Sequence, residues 1–367
     1  VRAVIVGAGV AGLSCAISAA LNDVEAVVLD KKRRIGEPVR STGGIAKRFL
    51  LEAGLVPDLR FMYGLKRVII SSPGAECEIT AEGRTLGYVM DQEAFENHLA
   101  RMAERLGVEI RLESPVRPED LGRLRREYDF LVGADGPYST VRRALGIPDN
   151  GPWDMHRGLE LWVRGRPRTD LENAIMVRFD HAAAPYGYVW LFRYNDVVKY
   201  GAGVPIAVEK DLKATLYGMI DQFFDGWEVV NHVGGVIPTP KPLGRVSCGN
   251  VALVGDAGNF VNAATGGGIQ LALLSGKSCG EAMGRGSLKH YERWYRRSAR
   301  PFLSRWYRIK RFLYSLGPSD MDRLLRAFSG FRVASMDPRR EIPRAVRHVA
   351  LRDFWLLVKL VRAWCSA

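Results

Sequence analysis

Hydrophobic and polar positions alternate along this chain in three different ways. Short unbroken apolar runs at Ala3–Val6, Phe130–Val132 and Val251–Val254 each stop at a glycine, as strands buried on both faces of a parallel sheet do. A second pattern, between residues 66 and 89 and again at Tyr188–Phe192, alternates apolar and polar positions and suits an antiparallel sheet. There Tyr188, Trp190 and Phe192 fall on one side of a strand, either as a plain core face or as the wall of a cavity. The third is helical: an Ala-rich helix up to about Leu21, a short one over 46–56, an amphipathic one over Glu93–Leu106, and a helical, basic end from about Gly284. The fold class expected is α/β, with a Rossmann-like domain interleaved with an antiparallel-sheet domain and followed by a helical C-terminal region.

The residues that follow the three apolar runs carry the candidate chemistry. Gly7-Ala8-Gly9-Val10-Ala11-Gly12 fits GxGxxG between a strand and a helix, and Asp30 ends the next strand where an acid binds a ribose hydroxyl. Gly7, Gly9 and Gly12 permit the tight turn, backbone approach to a pyrophosphate and helix-on-strand packing, so an ADP-containing cofactor is expected. Lys31 follows at once, heading a charge run to Arg34 that otherwise reads as a solvated face. The next loop, Gly36-Glu37-Pro38-Val39-Arg40-Ser41-Thr42-Gly43-Gly44, differs in kind: proline fixes it, paired glycines free it, and Arg40 can face a phosphate. Arg40, Thr42, Gly43 and Gly44 are therefore candidate cofactor contacts. Asp135 stands at a strand's carboxyl end, where open α/β sheets bind ligands, although a turn capped by Asp135 fits the same residues. Gly255-Asp256 places an acid able to accept from a sugar or ribityl hydroxyl. Gly266-Gly267-Gly268 then opens a helix at Ile269 with bare N–H groups for a flat or anionic group, the alternative being a glycine loop of structural use alone.

Composition narrows the setting. Five scattered cysteines without a CxxC pair form neither a disulfide framework nor a zinc site, and no metal is expected. With a strand beginning near Val1 and no apolar run of spanning length, a cytoplasmic protein, soluble or peripheral on the inner membrane face, is expected. The net charge of +13 is unevenly placed: residues 281–367 hold 20 Lys and Arg against 7 Asp and Glu, while residues 1–280 hold 33 of each. Such a block suits an anionic surface, or is simply a solvated Arg-rich face; lacking the aromatic motifs of RNA binders, the chain is not expected to bind nucleic acid. Within it Phe302, Trp306, Ile309 and Leu313 share a helix face ringed by Arg305, Arg308 and Lys310, fitting a headgroup-level helix or one packed on its own domain. Val346–Trp364 is a second such segment, its uncharged run too short to span a bilayer.

In order and approximate spacing the three glycine motifs resemble the flavoprotein hydroxylase superfamily over about residues 1–280. The resemblance implies FAD in extended form, with Asp30 on the adenosine ribose and Gly7, Gly9 and Gly12 under the pyrophosphate. Asp256 would then meet the ribityl chain, and the backbones of Gly267, Gly268 and Ile269 the isoalloxazine. Pro185-Tyr186-Gly187-Tyr188-Val189-Trp190-Leu191-Phe192, followed by the strand around Lys199–Gly203, resembles the geranylgeranyl reductase family, the branch that saturates isoprenoid chains. That likeness implies an FAD-dependent reductase of C=C bonds in geranylgeranyl-type chains of archaeal-type membrane lipids. Gly187, Tyr188, Trp190 and Phe192 would line the substrate channel, and the sequence leaves the acid open between Tyr188, Ser41 and an ordered water.

Four positions depart from the family pattern. Ser41 stands where archaeal lipid-reducing members carry cysteine, Arg193 and Ala263 replace prolines, and Gln92 replaces a cofactor-contacting arginine. The division implied is an FAD-binding domain at 1–154 and 241–283 with inserted strands near 66–90, a substrate domain at 155–240, and a basic helical region at 284–367. No nicotinamide domain is recognisable, which leaves NAD(P)H and ferredoxin both open as electron donors. An FAD-dependent monooxygenase of an aromatic or lipid substrate is the alternative that the same fold allows.

Overall fold

Arg2–Val6 lies at the centre of a six-stranded sheet, paired in parallel with Glu25–Leu29 on one side and Phe130–Gly133 on the other. The structure is a computed structural model that describes residues 1–80, 84–331, 338–350, 352 and 353. Glu109–Arg111 and Val251–Leu253 extend the parallel order, and only the Ser247–Cys248 edge runs antiparallel. The unbroken apolar runs have their explanation here. Ala3 and Ile5 enter one core cluster, Val4 and Val6 the one on the opposite face, so neither side of the strand can be polar.

Helices Val10–Ala20 and Ile269–Gly284 cover one face and run parallel to each other in near backbone contact. Gly276, Gly280 and Gly284 recur every fourth residue along the seam; a Cβ at Gly280 would sit 2.5 Å from Ser18 Cβ and 2.6 Å from the Ala19 nitrogen. Ser14 and Ser18 hydroxyls donate to the Leu273 and Lys277 carbonyls, both at 2.8 Å. Because the helices are parallel and paired in register, both N-termini emerge at the same end of the sheet. Two positive helix ends are thereby brought together beyond the strands' carboxyl ends.

The second sheet has seven strands, ordered Phe224–Pro238, Met155–Pro167, Val197–Pro205, Tyr188–Tyr194, Ala174–Arg178, Arg67–Ser72 and Ala75–Thr80. Two of the alternating strands near 66–90 thus extend the sheet of residues 155–238, Arg67–Ser72 pairing in parallel with Ala174–Arg178. Gly87–Met90 instead pairs with Gly44–Ala46 and Met62–Leu65 in a separate three-stranded sheet. Alternation marks a strand's faces and not its neighbours, which is why the pairing was not legible. Val189, Leu191, Tyr200 and Ala202 pack under helix Leu212–Phe223. Tyr188, Trp190 and Phe192 consequently occupy the opposite face.

In the C-terminal region, helix Arg300–Ser315 packs on its own chain, with Leu303 and Phe312 buried. Lys310, expected on the basic rim, is also buried and pairs with Asp154 at 2.8 Å; the ion pair and its neighbouring carbonyls outweigh the solvation that the helical pattern implied. Among the described residues no helix is long and apolar enough to cross a membrane. Residues 354–367, which include most of the second amphipathic segment and Cys365, lie outside the described residues.

Candidate active site

At the end where the two helix N-termini meet, three glycines show different constraints. A Cβ on Gly7, whose φ is +112°, would lie 2.3 Å from the Ala134 carbonyl oxygen, and one on Gly12 only 1.8 Å from the Gly7 oxygen. Gly9 faces open space, with nothing within 4 Å of where its Cβ would be. A bare backbone ledge on a locked turn is what a pyrophosphate needs. Asp30 is buried at its edge, accepting from the Ala8 nitrogen at 2.5 Å and the Lys32 nitrogen at 2.8 Å. Lys31 is exposed, whereas Lys32 turns inward to the Ala8 oxygen and to Glu96, each at 3.3 Å. Nothing in a run of four cations distinguishes the one that folds back.

Asp256 lies across from this ledge beside the glycine-rich turn; a Cβ on Gly268 would come 3.3 Å from its Oδ1. Its carboxylate has no hydrogen-bond donor among the described residues, and burial pushes its pKa up to about 6. An orphaned, partly buried acceptor between two helix N-termini, with an open ledge opposite, fits the hydroxyl-bearing linker of a flavin dinucleotide. Asp135 differs. Its oxygens accept from the Ser139 hydroxyl at 2.5 Å and the Thr140 nitrogen at 2.7 Å, so it ties its own turn, while desolvation still raises its pKa. Sequence reasoning missed Arg142, buried and bonded to Asn259 at 2.8 Å and to Asn150 at 2.9 Å, which clamps the Asp135 turn to the Asp256 turn.

The loop at 36–44 is held from two sides. Gln92 Oε1 accepts from the Arg40 and Ser41 nitrogens at 2.9 and 2.8 Å, so the residue replacing an arginine positions the loop backbone. The Arg40 side chain is exposed and has no partner among the described residues. Thr42 turns to the second sheet, its hydroxyl donating to Glu160 at 2.5 Å. Glu160 is buried and also accepts from Trp162 and Trp190 indole nitrogens at 2.9 Å each. Beside it Lys199, fully buried, donates to the Thr42 and Met90 carbonyls, both at 2.9 Å, and its pKa is lowered by desolvation, against which the Glu160 charge acts. Glu160 and Lys199 sit in strands that read as ordinary alternation.

Between the sheet face and the glycine-rich turn is a cavity of about 660 Å³ including its open mouth, lined by Gly187, Tyr188, Trp190, Ala263, Gly266 and Tyr314 among others. Gly201 makes room for the buried Trp190, since a Cβ there would lie 2.4 Å from the indole. Phe192 is not in the lining; it packs at Gly44, where a Cβ would meet its ring at 2.9 Å. Ser41 is likewise outside it, accepting from the Gly43 nitrogen at 3.1 Å. Tyr188 lines the cavity, but its hydroxyl donates to the Thr265 carbonyl at 2.5 Å, and burial pushes its pKa up to about 12.

The FAD binding domain family matches residues 2–187. Digeranylgeranylglycerophospholipid reductase 1 of Methanopyrus kandleri is 32% identical over 76% of this chain and 79% of its own. This chain belongs to that reductase family. Digeranylgeranylglycerophospholipid reductase 2 of Methanosphaera stadtmanae shares 27% identity over 94% of this chain and 95% of its own. The fold is that of a geranylgeranyl bacteriochlorophyll reductase-like protein from Thermoplasma acidophilum, with a TM-score of 0.87 at 22% identity over 99% of this chain and 98% of the other. As a member of the reductase family the protein is an FAD-dependent oxidoreductase, and the ledge at Gly9 and the orphaned Asp256 carboxylate suit that cofactor.

Proposed function

We propose that this protein saturates C=C bonds of geranylgeranyl-type chains on a membrane lipid, as in archaeal-type lipid biosynthesis. The observation that carries the reading is a single cavity walled on one side by Tyr188 and Trp190 and on the other by Ala263 and Gly266 of the glycine-rich turn. Gly7, Gly9, Gly12 and Asp30 take the ADP half of the cofactor, and Asp256, Gly267, Gly268 and Ile269 the flavin half. Asp135 and Thr42 act one step removed, each shaping a loop. Reduced FAD, when bound, supplies the hydride equivalent. An isolated alkene offers no carbonyl to polarise, so the chain's own contribution is to hold the double bond in place, keep water out and bring one proton. The aromatic wall does the first two together with Ile237, which also lines the cavity beside Gly266.

The electron donor on this reading is a reduced nicotinamide or ferredoxin. The docking surface is an anionic membrane face, met by exposed cations such as Lys289, Arg293, Arg297 and Arg300. The test is the mass of the lipid after incubation with chemically reduced, FAD-loaded protein in the absence of oxygen. Gain of hydrogen pairs is expected; oxygen incorporation on admitting air, with no hydrogen gain before it, favours a monooxygenase and removes the reading.

A further inference from the structure

The cavity also meets, where helix Arg300–Ser315 crosses the start of strand Met155–Pro167, a chain of polar groups that no sequence motif marks. Lys310 on helix Arg300–Ser315 directs its ammonium at Asp154 Oδ1 (2.8 Å), the Trp153 oxygen (3.0 Å), and the Thr239 carbonyl (2.9 Å) and hydroxyl (3.0 Å). Thr239 Oγ1 is 3.0 Å from His156 Nδ1, and His156 Nε2 is 2.6 Å from the Tyr314 hydroxyl and 3.2 Å from the Tyr186 carbonyl. His156, Thr239, Lys310 and Tyr314 all line the cavity that also reaches Gly266.

Hydrogen-bond direction along this chain follows from its fixed end. An ammonium only donates, and it shares its three hydrogens among these four oxygens, so between Lys310 and Thr239 Oγ1 the hydroxyl oxygen accepts and its own hydrogen goes to His156 Nδ1, the acceptor available to it among the described residues. The ring hydrogen is therefore on Nε2, as the Tyr186 carbonyl at 3.2 Å also requires, and Tyr314 Oη at 2.6 Å shares it with that carbonyl. Tyr314 Oη accepts it, and the phenol hydrogen has no acceptor among the described residues, leaving it to face the cavity. Burial and the Lys310 charge hold the His156 pKa down at about 4, which keeps the imidazole in this neutral form. Tyr188 cannot supply such a hydrogen while it is bonded to Thr265, and Ser41 does not reach the cavity.

We propose that Tyr314, aimed by His156, is the proton donor that completes saturation of the double bond. This rests on the reductase reading above. The Tyr314 O–H bond breaks as a C–H bond forms at one alkene carbon; the other carbon is the one to which FAD, when bound and reduced, would supply the hydride equivalent. The phenolate oxygen takes the Nε2 proton, Nδ1 takes the Thr239 proton, and Thr239 is repaid by the Lys310 ammonium. Lys310 regains its proton from solvent alongside the partly exposed Asp154. Desolvation raises the Tyr314 pKa and lowers that of Lys310, so a phenolate does not persist and the ammonium is the freer to give up its proton.

The test compares Tyr314→Phe with the parent in anaerobic single turnover, using FAD-loaded protein and a geranylgeranylated glycerolipid. Lipid affinity, read from tryptophan fluorescence, stays within about threefold and flavin reoxidation by oxygen is unchanged, while lipid-driven reoxidation slows by about 100-fold or more. Thr239→Val keeps the phenol but frees the imidazole tautomer. It slows the same step by about tenfold and turns a curved solvent-isotope inventory, with several protons moving, into a linear one. This second variant decides the matter should Tyr314→Phe not retain FAD. A Tyr314→Phe rate within about threefold of the parent overturns the proposal. So does a variant that binds lipid poorly yet turns over normally once saturated. A parent protein that stays reduced in the presence of lipid overturns the reductase reading and this proposal together.

Discussion

Replacing Asp256 by asparagine should stabilise the FAD-free protein while weakening its hold on FAD. The carboxyl ionises at 3.8 in an ordinary setting and at about 6 here, because burial without a donor disfavours the charge. The folded state thus holds the proton more tightly than the unfolded chain. Its stabilising contribution is complete below pH 3.8 and is lost as pH rises through about 6. A two-unit shift is worth about 3 kcal/mol, which solvent contact at the half-buried side chain reduces to about 2 kcal/mol. Asp256→Asn removes this burden, so the FAD-free variant should exceed the parent by about 2 kcal/mol at pH 7.5, with the gap closing towards pH 4. Urea unfolding of FAD-stripped protein, followed by tryptophan fluorescence across that pH range, measures it; other titrating groups cancel between the two proteins. FAD titration should show affinity reduced by about 10- to 100-fold, the loss of hydrogen bonds to a charged acceptor. A variant no more stable at pH 7.5, or a difference that does not shrink on acidification, refutes the argument that Asp256 is an unmet acceptor.

Glu160→Gln leaves an amide N–H₂ facing an indole donor and removes the charge beside buried Lys199, so we expect a loss of about 3–5 kcal/mol in urea unfolding. Adding Lys199→Met to it should recover part of that loss. Gly280→Ala drives a methyl into the Ser18–Ala19 backbone and should cost about 1–3 kcal/mol with weaker FAD binding, because the displaced helix carries the Gly9 ledge. Gly218→Ala, in a helix with nothing within 4 Å, should instead stabilise by about 0.5–1 kcal/mol, and thermal melts of the pair separate close packing from glycine entropy.

What could be read in the sequence depended on how local the constraint was. Gly7, Gly12 and the strand before them announce themselves because the turn they form involves only neighbours in the chain. Asp30 and Asp256 follow from their place at strand ends. Thr42–Glu160 and Lys310–Asp154, by contrast, join residues 118 and 156 positions apart, and no periodicity carries such a pairing. A polar residue in an alternating strand, such as Glu160 or Lys199, reads as a solvent-facing position until the neighbouring element that buries it is known. Tyr188, Trp190 and Phe192 were correctly placed on one face, yet Phe192 leaves the cavity because its ring packs at Gly44, a neighbour that alternation does not reveal. Lys310 shows the same limit in a helix, where amphipathic spacing suggested a rim and the Asp154 ion pair made an inner wall, and Tyr314 beside it drew no notice until His156 was placed against it.

The most direct measurement of the central claim is the visible spectrum of the reduced, FAD-loaded protein mixed without oxygen with a geranylgeranylated glycerolipid. The account predicts return of the oxidised flavin band on adding the unsaturated lipid and none on adding its fully saturated counterpart. A flavin that stays reduced with both lipids, and reoxidises only when air enters, would contradict it.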